Sequence, residues 1–150
     1  MNDRYRFEPR KRSRRRALQA IYQWQITGQE PREIVAQFKA VQDMKGVDEE
    51  HFEKLLLGVA SGCAEIDEKL APFLDRPMDQ VDLMERVALR IGAFELLHCP
   101  ELPWRVVLDE CIDLAHRFGA EQGHAYVNAV LDRAAHEWRR AEIESRPAGQ

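Results

Sequence analysis

A single threonine, Thr27, and no sustained polar/apolar alternation leave the chain little from which to build β-strands. Paired cysteine motifs are missing too. Cys63, Cys99 and Cys111 are an odd number placed singly, which argues against a disulfide framework and a zinc site and fits a reducing compartment. No apolar run approaches the length of a membrane span, and the basic N-terminus lacks the apolar core of a secretion signal. What remains is a cytoplasmic all-α protein. Its 150 residues suit one domain or two small subdomains sharing a core.

What is present is unevenly distributed charge. Residues 1–17 hold eight basic side chains against Asp3 and Glu8, and the remainder is acidic enough to bring the whole chain to −4. Arg14, Arg15 and Arg16 fall in the first turn of a helix expected to begin at Ser13. There they oppose the macrodipole and repel one another, at a cost of a few tenths to about 1 kcal/mol. A phosphate backbone laid across that turn relieves both penalties, whereas a basic tail that only aids solubility relieves neither. The acidic body, in turn, suits a basic protein.

The stretch Asp82–Leu97 is apolar nearly all round, with Asp82, Arg86 and Arg90 as one thin charged stripe, so it reads as a buried central helix. Gly92 within it implies that another backbone passes close by, and Glu95 implies a buried ion pair or a hydrogen bond to a helix terminus. Around it the chain divides into a flexible basic arm (1–12), an N-terminal helical subdomain (13–71), a joint (72–81), a C-terminal helical subdomain (82–143) and a flexible tail (144–150). Helices are expected from Ser13 to Gly28, from Pro31 with Ile34, Val35, Phe38 and Val41 inward, and from an Asp48 cap to Pro72. Two more follow the central helix: one ends at Gly119 with Val107, Cys111, Leu114 and Phe118 inward, and one runs from about Ala120 past Trp138. The fold expected is two bundles of about three helices packed around the central one.

The strings RRRALQAIYQWQ, ERVALRIGAFELL and PWRVVLDECIDLAHRFGAEQGHAYVNAVLDR resemble the NusB family of bacterial transcription antitermination factors, in order and spacing, from about Arg10 to Ala135. The longer basic leader and the tail after Trp138 depart from it. The resemblance implies no catalysis and no cofactor. It implies binding of single-stranded boxA RNA of ribosomal leaders together with NusE, which doubles as a ribosomal small-subunit protein, in a complex with RNA polymerase and other Nus factors. Carried over position by position, it assigns RNA contact to Arg10, Lys11, Arg12 and Arg14 of the arginine-rich motif, with Arg15 beside them, and to Gln122 and Tyr126. For NusE it assigns Tyr22, Asp79 and Glu85. It also leaves a homodimer that covers the RNA face open to the chain.

Two other readings compete. A helical protein–protein adaptor without RNA binding treats the arm as incidental. An enzymatic one starts from the related helical domain that precedes RNA cytosine methyltransferases, but this chain has no strand-rich, glycine-loop region for S-adenosylmethionine. Its five histidines, His51, His98, His116, His124 and His136, read as surface or capping residues, with no nucleophile and base among them.

Overall fold

Pro31, Asp48 and Asp82 start helices in the computed structural model, which describes residues 4–145, with side chains from residue 8 onward. Pro31 opens the second helix, where its missing N–H costs nothing. The Asp48 carboxylate accepts from the His51 N–H at 3.1 Å and that of Asp82 from the Met84 N–H at 3.0 Å, each filling an orphan donor of a first turn. The elements are α1 (Arg4–Thr27), α2 (Pro31–Val41), α3 (Glu49–Leu70), α4 (Leu83–His98), α5 (Trp104–Phe118), α6 (Gly123–Trp138) and α7 (Arg140–Glu144). Two short 3-10 turns, Ala71–Phe73 and Met78–Gln80, form the joint, and no strand occurs among the described residues. The all-α expectation holds.

Helix α4 is the axle. It packs against α1, α3, α5 and α6, and eleven of its sixteen residues are buried. Burial of Leu89, Ile91 and Leu96 stabilises the fold by about 1.5–3 kcal/mol per side chain. Gly92 does mark a close approach, but of side chains rather than backbone: a Cβ there would lie 2.5 Å from Leu131 Cδ1. One continuous apolar cluster joins α1–α3 to α4–α6. The stripe on α4 also works inward, since Arg90 grips Asp67 of α3 at 2.9 and 2.7 Å and Gln25 of α1 at 2.6 Å. Arg86 donates to the carbonyls of Asp79 and Val81 and so holds the joint against the helix.

Three expectations need correction. The part of the expected 1–12 arm that is described, from residue 4 onward, is not free up to Ser13, because α1 is already helical from Arg4 and Pro9 lies inside it. Its Pro9 carbonyl accepts from the Asp48 N–H at 3.2 Å, and the Ser13 hydroxyl sits between the carbonyls of Pro9 and Asp48 at 2.8 and 2.6 Å. Ser13 is therefore a latch between α1 and α3, not a cap. Val41, expected inward, is 75% exposed in the last turn of α2. At the other end, the expected tail 144–150 begins with Glu144 closing α7 and Ser145 after it; its remainder, like residues 1–3, lies outside the described residues.

Arg139, to which no role was assigned from the sequence, locks that end. It is buried and donates to the carbonyls of Leu96, Leu102 and Cys99 at 2.8, 2.8 and 3.0 Å, serving the C-terminus of α4 and the loop after it.

Candidate nucleic-acid interface

The arginines of α1 divide by helical phase. Arg14 precedes the buried Leu18 by four residues and Ile21 by seven, so it points inward with them. It is only 2% exposed, and its Nε lies 2.9 and 3.1 Å from the two carboxylate oxygens of the fully buried Glu95. His51 Nε2 completes that carboxylate at 2.8 Å, and Glu110 stands 3.9 Å from Arg14 Nη1. Burial by itself would raise the Glu95 carboxyl, but the charge and hydrogen bonds of Arg14 and His51 outweigh it and hold the group below its ordinary pKa. At Glu110 the balance is reversed: burial dominates and its pKa is raised, although Arg14 and Lys11 pull it down.

The assignment of Arg14 to RNA is thus corrected: its charge is spent inside the protein. His51 is corrected likewise, from a surface or capping residue to a member of this buried network. Glu95, expected in a buried ion pair or a hydrogen bond to a helix terminus, is in the ion pair.

The other four cations of the motif lie outside. Arg10 faces Asp48 at 3.9 Å and Lys11 faces Glu110 at 3.6 Å, both loose partly exposed pairs. Arg12 is exposed and lies over the α2–α3 loop, where a Cβ on Gly46 would meet its Nη1 at 1.9 Å. Arg15 reaches toward α5, 4.0 Å from Asp113, and the same Asp113 oxygen accepts from Arg117 at 3.1 Å. A basic ribbon therefore runs from α1 across α5 to Arg117 in its last turn, two residues before Gly119 starts the link to α6.

Gln122 and Tyr126 sit just beyond that link. Gln122 is exposed at the start of α6, and Tyr126 is half-buried, with the Arg76 guanidinium 4.9 Å from its ring centroid. Asp75 holds Arg76 through two hydrogen bonds, at 2.7 and 2.9 Å, and that pairing lowers the Asp75 carboxyl to about 2. A cleft of about 280 Å³ separates Tyr126 and Gln122 from Asp82 and Glu85.

The residues assigned to a protein partner differ in how far they reach the surface. Asp79 is exposed in the joint and Tyr22 is half-buried at the edge of the core. Glu85 is only 3% exposed, accepts from the Ala120 N–H at 3.0 Å and fills the space over Gly123, where a Cβ would sit 1.5 Å from its Oε1. Burial and the neighbouring Asp82 carboxylate raise its pKa. Direct partner contact by Glu85 is corrected accordingly: it braces the α5–α6 link, which no local pattern in the sequence could reveal.

Comparison with known proteins decides the family. The model of the NusB family matches residues 11–136. The chain belongs to the NusB family. A transcription antitermination protein NusB of Nitrosococcus oceani is 53% identical over 137 residues, 91% of this chain and 92% of the relative. One of Xanthomonas axonopodis pv. citri is 52% identical over 133 residues, 89% and 84% of the two chains. Among solved structures, NusB of T. maritima superposes with a TM-score of 0.79 at 26% identity, covering 91% of this chain and 97% of that one. NusB crystallised with NusE and double-stranded RNA superposes with a TM-score of 0.73 at 29% identity, covering 87% and 96%. The NusB match starts at Lys11, so it takes in most of the basic ribbon but not Arg10.

Proposed function

We propose that this chain is an RNA-binding antitermination factor, which binds boxA RNA of ribosomal leaders together with NusE and joins other Nus factors on cytoplasmic RNA polymerase. The observation that carries the proposal is the line of outward cations from Arg12 and Arg15 through Asp113 to Arg117, on a member of a family one of whose structures holds NusE and RNA. Arg12 and Arg15 take phosphates, with Arg10 and Lys11 exchanging loose internal pairs for them; Tyr126 stacks on a base and Gln122 hydrogen-bonds beside it. An unpaired strand suits that stack, because a paired base has no free face to offer. Asp79 and Tyr22 serve the basic partner. Glu85 acts through the link it braces.

The internal pairs of Arg10, Lys11 and Arg15 favour a second reading, a protein-only adaptor whose cations are already neutralised. One titration separates the two. Binding of single-stranded boxA RNA, a scrambled strand and a duplex is measured with and without NusE across a salt series. The proposal expects the boxA strand to bind most tightly, more so with NusE, and more weakly as salt rises. Equal or absent binding of all three RNAs in the presence of NusE supports the adaptor instead.

A further inference from the structure

The α2–α3 loop supplies a cation that the ribbon above does not include. Lys45 and Arg12, Arg15 and Arg16 line a cleft of about 390 Å³ together with Asp43 and Val47. Asp43 is the acid among them, and its groups are committed to holding the loop: its carbonyl accepts from Arg16 Nε at 2.9 Å and its carboxylate from the Lys45 N–H at 3.0 Å. Gly46 has φ +76 and lies under the Arg12 guanidinium, so the loop turns where that side chain needs room. The Arg15 Nε is shielded from water and has no hydrogen-bond acceptor, which is a cost until something supplies one. Among the described residues no acidic side chain pairs with Arg12 or Lys45.

We infer that this cleft is a phosphate subsite for the sugar–phosphate backbone of the bound strand, and that Lys45 is one of its contacts. The inference rests on the RNA-binding reading and extends it beyond α1. Three guanidinium forks around a small opening suit phosphate oxygens, which accept bidentately, and Lys45 adds a point charge. Continuity through Arg15 and Asp113 with Arg117 of α5 extends the line of cations beyond the cleft, which favours the repeating phosphates of a strand over an acidic peptide.

The test compares the wild-type protein, Lys45→Gln and Lys45→Glu, each with NusE, on single-stranded boxA RNA carrying flanks on both sides, at several salt concentrations. Lys45→Gln should weaken binding about threefold to tenfold at low salt and flatten the plot of log affinity against log salt by about 0.7, the value of one phosphate contact on a single strand. Lys45→Glu should weaken it further. Wild-type binding with an unchanged slope in Lys45→Gln overturns the subsite and leaves the RNA reading standing. Weakened affinity for NusE without RNA assigns the cleft to the protein partner and also overturns it. A wild-type protein that binds no RNA overturns the function reading and the subsite together.

Discussion

Replacing Glu95 by Gln removes one charge from the centre of the molecule and almost no volume. The Arg14 guanidinium would then be left 2% exposed with Glu110, 3.9 Å away, as its nearest remaining carboxylate, and His51 would lose an anionic partner at 2.8 Å. Leaving one member of a buried ion pair uncompensated costs about 3–5 kcal/mol. In a chain of this size that lowers the melting temperature by about 6–20 °C. Urea and thermal unfolding followed by circular dichroism would measure it. As a control, Lys39→Ala breaks an exposed pair with Glu53 and should change little.

The pH dependence gives the same loss a second signature. The Glu95 carboxyl has a lower pKa folded than unfolded, so its stabilisation is complete above the unfolded value and is lost as pH falls through the folded one. The gap between wild type and Glu95→Gln should therefore be widest near pH 7 and close in acid below about pH 4.5. A neutral-pH loss under about 1 kcal/mol, or a gap that does not depend on pH, would refute the argument that Arg14 is held by charge.

Other consequences are as direct. Arg12→Gln should weaken RNA binding at unchanged melting temperature, whereas Arg14→Gln should lower the melting temperature first; anisotropy titrations beside thermal melts separate them. Tyr126→Ala should cost about 1–3 kcal/mol of RNA affinity and Tyr126→Phe much less, because stacking needs the ring and not the hydroxyl. Glu85 has a raised folded pKa, so its ionisation penalises the fold as pH climbs past the unfolded value. Glu85→Gln should accordingly be neutral or stabilising at pH 8 and lose that advantage near pH 4, as read from melts across pH. Arg139→Ala should cost about 3 kcal/mol in urea unfolding, since it strands the carbonyls of Leu96, Cys99 and Leu102 away from water.

The sequence by itself determined the helical class, the cap residue Asp48, the proline start at Pro31, the stop at Gly119 and the burial of the helix around Leu89 and Ile91. Each depends on residues within a turn or two of one another, and periodicity records such short-range relations. It carried the family as well, because the matching strings are contiguous. Even the inward turn of Arg14 was within reach, four residues before Leu18 and seven before Ile21, but its run of arginine neighbours drew attention to charge over phase.

Only the tertiary structure decided which charges are spent. Arg14 and Glu95 are 81 residues apart, His51 and Glu95 are 44, and Ala120 and Glu85 are 35. No local pattern says which carboxylate will come within 4 Å of which cation. That depends on how α1, α3, α5 and α6 settle around α4, and the same settling puts Lys45 beside Arg12 and Arg16. An ion pair's energy falls with distance through space, and chain position sets that distance only after the helices have packed.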